Sequence, residues 1–542
     1  MDRLWNSRRS PIYAKNGMVA CSQPLAAQAG LEILKRGGNA ADACVCIAAA
    51  LNVTQPTSTG IGGDAFALFF DATKKEVRGI NGSGRCPSDL SIDTFKNLGY
   101  NEQNRPSSLS PLFITVPGAA AAWVDTVEQF GSGNLTLSEI LEPAIKLAEE
   151  GFPVAQVSAH FWKKGEHLLQ NSANGTEILS NGVAPKEGEI MKMPFLAETF
   201  RELGTNKKPG FYQGRIAQAI VDVIRENGGV MSLADLENHV STQDEPVHVN
   251  YRGVDVYEIP PSGQGMTALL ALNILEGFNL QGMQHSSPEH LHIVIESLRL
   301  AFADARFYIA DPAFESVPVA GLLSKDYAAH RRDKINLQEA ATDLQHGYPQ
   351  NFSNTVYFCV VDGQGNACSF INSNYQGFGT GIIPKGCGFT LQNRGDNFSL
   401  DPSHVNSLQP GKRPYHTIIP GMALKDGELY CPFGVMGAFM QPQGHLQVIS
   451  NMVDFGMNPQ EALDAPRVQI SGGTAAGRIF IEDGIPVETA QVLEKIGHRQ
   501  PTIVSGWKRS EFGVGQIIVR NPVTGVLCAG SDPRHDGHAM GW

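Results

Sequence analysis

The stretch NTVYFCVVD (354–362), followed by GQGN (363–366) and ACSFINS (367–373), decides how this chain is read. It reads as a strand opening on Thr355, a short glycine turn and a second strand. Ahead of it, residues 331–354 are polar, show no clear apolar periodicity and read as a loop. A threonine where such a loop meets a core strand is a candidate N-terminal nucleophile, bared when the chain cuts between Asn354 and Thr355. Its hydroxyl is weak until a base takes its proton. A free α-amine on the same residue, with a pKa of about 7.7–8.0, lies near working pH and supplies that base. Before the cut, the hydroxyl attacks the Asn354 carbonyl, the acyl group moves from nitrogen to oxygen, and hydrolysis of the ester frees the amine. Read alone, the window fits an ordinary β-branched residue starting a strand more readily than a nucleophile.

Bulk properties narrow the function. At 542 residues the chain needs two domains or one large interlocked core. With 42% hydrophobic and 18% charged residues it can bury that core, and disorder is not expected over most of its length. A net charge of −12 argues against a nucleic-acid or anionic-membrane partner. No apolar run is long enough to span a bilayer, and no apolar run follows the basic residues at the start as in a secretory signal. Nine cysteines, four of them (Cys44, Cys46, Cys359, Cys368) in or beside apolar strings, read as reduced thiols and a cytoplasmic address.

The first 330 residues carry helical patterning. Helices are expected over 25–35, ending at Gly37-Gly38, over 40–51, from Pro117-Gly118 to about Phe130, over 137–149, and from a Ser287 cap and Pro288 to about Phe307. Short strands are expected at 67–70 and 77–80. After Thr355 the pattern turns to strands at 356–362, 367–373, 388–391, 429–435 and 515–519, with helices at 445–452 and 459–465. Strands flanked by helices on both sides indicate an α+β fold, a four-layer αββα sandwich whose halves, 1–354 and 355–542, share one core.

The motifs RGGNAADA (36–43), TGIGGDAF (59–66), VPGAAAAW (116–123), PPSGQG (260–265), LAFADARFY (300–308), GFGTG (377–381), DAPRV (464–468) and GSDPRHDG (530–537) occur in the order found in the γ-glutamyltranspeptidase family, and the resemblance runs almost end to end. It implies a self-cleaving N-terminal-nucleophile hydrolase with Thr355 as nucleophile and the 354–355 bond as the processing site. A second hydroxyl that braces the nucleophile falls on Ser373. Oxyanion donors fall on the backbone amides of Gly437 and Ala438, where an N–H survives the alanine. The two processed pieces stay together as a heterodimer, with a dimer of heterodimers as the further assembly, and no cofactor or metal is expected.

The residues that clamp a γ-glutamyl group in the family are mostly replaced. The arginine for the α-carboxylate has Ser83 in its place, with Arg85 two positions on. Positions that contact the ammonium read Tyr375 and Arg394, and its acidic partner reads Asn397 beside Asp396. The Ser-Ser pair for the carboxylate reads Tyr415-His416. An ammonium at 4 Å from Arg394 without a nearby carboxylate is repelled by about 4 kcal/mol at an effective dielectric of about 20. The expected substrate is therefore a small amide that carries a carboxylate near the scissile bond and no free amine, similar to those of oxamate amidohydrolase and of acylases of dicarboxylic monoamides. Two other readings stay open: γ-glutamyl transfer or glutathione hydrolysis with Arg85 and Asp396 rebuilding the clamp, and an inactive family member acting as a scaffold. For Arg394 the plain alternative is an exposed loop arginine, and for His416 a satisfied core histidine. Gly60-Ile-Gly62-Gly63 lacks the third glycine and the acidic residue of a dinucleotide fingerprint. His535 and His538 lack a partner cluster with zinc spacing.

Overall fold

The computed structural model describes residues 9–341, 355–499 and 501–542; Asn354 lies outside them. The strands that open the reading are Val356–Val361 and Ala367–Ser373, paired antiparallel with Val356 opposite Asn372 and Val361 opposite Ala367. Every residue of both is buried, which is why VYFCVV reads as a continuous apolar run. They lie in a seven-stranded antiparallel sheet ordered His538–Gly541, Met18–Cys21, Val356–Val361, Ala367–Ser373, Asp64–Asp71, Glu76–Gly82, Thr242–Asp244. A second seven-stranded antiparallel sheet runs Ile12–Ala14, Leu527–Ser531, Val514–Arg520, Glu428–Met436, Gly421–Lys425, Val254–Glu258, Val247–Tyr251. Each sheet takes strands from both sides of the 354–355 junction. The chain is α+β.

The period of two along Val356–Val361 divides its side chains. Val356, Phe358 and Val360 pack with the helices Pro24–Lys35, Ala40–Thr54, Ala119–Phe130 and Leu137–Glu150. Tyr357, Cys359 and Val361 pack instead with Met422, Met436 and Ile518 of the second sheet. The other face of that sheet, with Phe433, Val435 and Ile517, packs on Gly265–Leu275, Pro288–Tyr308 and Met440–Val453. The nine thiols are unpaired, and all but Cys528 are buried.

Local chemistry sets the helix starts. Asn39 and Asp42 form a reciprocal capping box for Ala40–Thr54, so part of RGGNAADA is a helix cap. Ser287 accepts from the His290 N–H at the start of Pro288–Tyr308. Residues 388–391, expected as a strand, form none. Gly386 and Gly388 are left-handed, at φ 72° and 70°, and break the extended run. The polar stretch expected as loop from 331 begins inside the helix Lys325–Arg332.

One glycine sets the distance between the sheets beside the junction. A Cβ on Gly434 would stand 2.5 Å from the Tyr357 ring. Gly434→Val is expected to lower stability by about 1–3 kcal/mol, the usual range for overpacking a core, as read by urea unfolding of the full chain.

Candidate active site

Strand register brings the first pair together. Continuing the pairing one step past Val356 and Asn372 places Thr355 opposite Ser373. The Thr355 hydroxyl donates to Ser373 Oγ at 3.1 Å, and the Tyr375 N–H donates to the same oxygen at 2.8 Å. On its other side Ser373 stands opposite Asp64. Gly63 allows that approach, because a Cβ there would lie 2.1 Å from the Ser373 carbonyl oxygen. The glycines of TGIGGDAF thus serve close backbone packing. Thr355 and Ser373 are fully buried. Two surface clefts of about 500 and 680 Å³, lined by Val124 and Leu135 and by Tyr13 and Tyr430, lie away from Thr355.

Asp64 is the electrostatic centre. Its Oδ1 accepts from the N–H of Gly84 at 2.9 Å, of Gly118 at 3.3 Å and from Gln392 Nε2 at 2.9 Å. Its Oδ2 lies 2.9 Å from His416 Nε2 and 4.0 Å from Arg394 Nε. Burial pushes its carboxyl up, but the hydrogen bonds from His416 and Gln392 and the charge of Arg394 outweigh this and lower it. Asp64 is therefore ionised. Burial first, and the Arg394 charge second, push His416 down to about 3. The neutral ring takes an N–H from Ile418 at Nδ1, at 3.4 Å, and donates from Nε2 to Asp64. His416 is thus a satisfied core histidine, the plain alternative that its sequence position allowed.

Arg394 is fully buried, which overturns the reading of it as an exposed loop residue. Its guanidinium lies over the Tyr375 ring, 4.6 Å from the centroid, and Nη1 donates to Thr417 Oγ1 at 2.6 Å. Nε and Nη2 are buried without a hydrogen-bond partner. Burial pushes the group down to about 10, so it remains charged. The Tyr375 hydroxyl donates to Asn397 Oδ1 at 2.9 Å, which joins two more expected positions to this cluster. The remaining ones are placed otherwise. Asp396 is engaged by Arg105 at 3.5 Å. Arg85 is 31% exposed at its side chain and stands 3.9 Å from Asp311. The Tyr415 ring carries the Arg306 guanidinium at 5.2 Å. Within KRPYHTIIP (412–420), the residue after His416, Thr417, holds Arg394.

Gly437 and Ala438 follow the strand Glu428–Met436 with φ of 135° and 51°. The Tyr357 ring packs against Gly434, three residues before this turn. Gly437 O accepts from the Met440 N–H at 2.8 Å. A trans peptide sets C=O and N–H on opposite sides, so the Ala438 N–H faces away from the helix Met440–Val453. Left-handed backbone at Tyr375 (φ 74°) and Ala438 costs on the order of 1–2 kcal/mol each, and such strain concentrates at functional sites.

Asp64, Gln392, Thr417 and Gln264 were missed from the sequence. Asp64 left a signal as the one polar residue at the head of the apolar strand DAFALFF, within TGIGGDAF. Elsewhere, His292, Glu296 and His498 bring ligand-type atoms within 4.8 Å of one another. His292 Nε2 faces the Asn336 carbonyl at 2.8 Å and so carries the proton. Its Nδ1 then accepts from His498 Nε2 at 2.7 Å. With Arg299 3.7 Å from Glu296, the cluster reads as a hydrogen-bonded chain with its own counter-ion.

A model of the gamma-glutamyltranspeptidase family matches residues 26–542. The chain belongs to that family. It is an amide hydrolase or acyltransferase of the gamma-glutamyltranspeptidase type. The "Glutathione hydrolase-like YwrD proenzyme" of Bacillus subtilis (strain 168) is 36% identical over 98% of this chain and 99% of its own length. The "Oxamate amidohydrolase proenzyme" of Klebsiella pneumoniae subsp. pneumoniae is 30% identical over 98% of this chain and 100% of its own. Among solved structures, the cephalosporin acylase from Bacillus halodurans superposes with a TM-score of 0.91 at 44% identity, covering 100% of this chain and 98% of that one.

The buried imidazoles give this transpeptidase-family chain a defined acid response. His239, His290, His416 and His498 are each pushed from 6.5 down to about 3, chiefly by burial. Unfolded, these rings take up protons below 6.5; folded, they stay neutral to about 3. Their contribution is therefore full above 6.5 and lost as pH falls through that window. In a Thr355→Ala background, His416→Gln is expected to shrink the stability difference between about pH 7 and pH 5 by about 2 kcal/mol, measured by urea unfolding at both values.

Proposed function

We propose that this chain is the precursor of an N-terminal-threonine amidohydrolase whose substrate carries a carboxylate near the scissile amide and no free amine. The observation that carries the substrate reading is Arg394, a buried, charged guanidinium with two N–H-bearing nitrogens, Nε and Nη2, lacking a hydrogen-bond partner. Leaving a buried donor unmade costs about 1–3 kcal/mol, more for a charged group, and a carboxylate can take both in a bidentate pair. Asp64 sharpens the choice. It supplies the carboxylate that the sequence reading lacked beside Arg394, but four donors already engage its oxygens. It has little capacity left for a substrate ammonium, and Asp396 faces Arg105.

In this reading Thr355 attacks the amide carbonyl and Ser373 orients its hydroxyl. The Gly437 and Ala438 amides hold the oxyanion, the amine leaves, and water clears the acyl-enzyme. The free α-amine of Thr355, present only after the cut, moves the protons. In this reading the full burial of Thr355 belongs to the uncut chain, and the hydroxyl becomes reachable only after scission at 354–355. The pieces 1–354 and 355–542 would stay joined, because Val356–Val361 lies between Met18–Cys21 and Ala367–Ser373. The three packed cores, one between the sheets and one on each outer face, support a four-layer αββα arrangement.

Purified protein is expected to give two bands on a denaturing gel, of about two-thirds and one-third of the mass, while Thr355→Ala stays whole. A parent that remains one band and turns over no amide supports the scaffold reading instead. Processed enzyme should release amine from amides bearing a nearby carboxylate, oxamate among them. Arg394→Met should raise their KM by about 10- to 100-fold, the loss of one charged hydrogen-bonded pair of about 1.5–3 kcal/mol. Release of glutamate from glutathione in preference to these amides would replace this reading with γ-glutamyl transfer.

A further inference from the structure

One side chain ties the anion-binding arm of the site to the turn at Gly437-Ala438. Gln264, within PPSGQG, is fully buried. Its Nε2 donates to the carbonyl oxygen of Thr417 at 2.6 Å and to that of Ala438 at 2.8 Å. Both hydrogens of the amide are thereby used. Its backbone N–H donates to the His416 carbonyl at 2.9 Å, and the Tyr415 hydroxyl reaches its Oε1 at 3.5 Å. Through one residue, the loop after Val254–Glu258 grips three consecutive residues of KRPYHTIIP and the far turn.

We propose that Gln264 is a positioning residue that holds the Ala438 turn in its left-handed form and couples it to the residue that seats Arg394. Ala438 at φ 51° is strained for a residue with a Cβ. Its conformation is set by the carbonyls on its two sides. Gly437 O is fixed by Met440, whereas Ala438 O is fixed by Gln264, with Gln441 N–H more distant at 3.3 Å. Without the amide of Gln264, the Ala438 carbonyl is left with the longer bond, and the N–H on the other side of the same residue is free to turn. The Thr417 carbonyl loses its partner at the same moment. Thr417 Oγ1 is the group on which Arg394 Nη1 rests, so a substrate carboxylate on Arg394 and an oxyanion on the turn are held in one frame.

This inference rests on the proposal that the turn binds the oxyanion, and its failure can be told apart from failure of that proposal. Gln264→Met keeps the length and removes both bonds. It is expected to slow self-cleavage and to lower kcat by about 100-fold, the scale of one mis-set oxyanion donor, for neutral and anionic amides alike. Arg394→Met, by contrast, should act on the KM of anionic amides. Gln264→Glu keeps the shape. As a carboxylate it meets two carbonyl oxygens with no hydrogen to offer, and as the acid it donates one. Its kcat is expected to rise as pH falls over a range where the parent does not. Processing and kcat at the parental level in Gln264→Met, or a Gln264→Glu profile that follows the parent, overturn the inference. If Gln264→Met does not fold, the pH profile of Gln264→Glu decides alone. A parent that never cleaves sinks the function reading itself.

Discussion

An ionised carboxylate sealed in the interior is the constraint around which the site is built. Asp64 is inaccessible to water, and isolated charge at such depth is not tolerated without compensation. Three N–H donors, from Gly84, Gly118 and Gln392, hold one oxygen, and the His416 ring holds the other. The donors come from separate loops. Their convergence fixes the turn after Glu76–Gly82, the start of the helix Ala119–Phe130 and the segment that leads into Arg394. The arginine then sits where the leftover charge is. Asp64 and Ser373 face each other across paired strands, so the electrostatic centre and the nucleophile's partner share one strand register.

Close backbone approach and local strain accompany this arrangement. Gly63 lies against the Ser373 carbonyl, and Gly434 lies against the Tyr357 ring, each at a separation that no side chain would permit. Tyr375 and Ala438 hold left-handed backbone despite their side chains. Both are braced. Tyr375 donates its N–H to Ser373 and carries Arg394 on its ring, and Ala438 is gripped through its carbonyl by Gln264. Strain at these two points is offset by hydrogen bonds and burial in the rest of the site.

Much of this was legible in the chain. Apolar runs and cap residues placed the strand pair at 356–373 and the helices that begin at Pro24, Ala40, Ala119, Leu137 and Pro288 to within a few residues, because those signals are local. The motifs carried the family, and with it Thr355, Ser373 and the Gly437-Ala438 turn as candidates. The region 388–391 misled because its apolar residues Phe389 and Leu391 are buried in a loop that follows the left-handed Gly386 and Gly388. His416 stayed open because protonation depends on what surrounds a ring, and its surroundings come from residues hundreds of positions away.

By itself, the sequence determined the α+β class, the family and a threonine at the head of a core strand, since each is written in neighbouring residues or in ordered motifs. Only the tertiary structure decided which charges meet. Asp64 and Arg394 are far apart in the chain, and nothing in the neighbours of Thr417 and Gln264 shows what their side chains bond. Their roles exist only where the two sheets and their loops close on one another, because burial and hydrogen-bond geometry are properties of that closure.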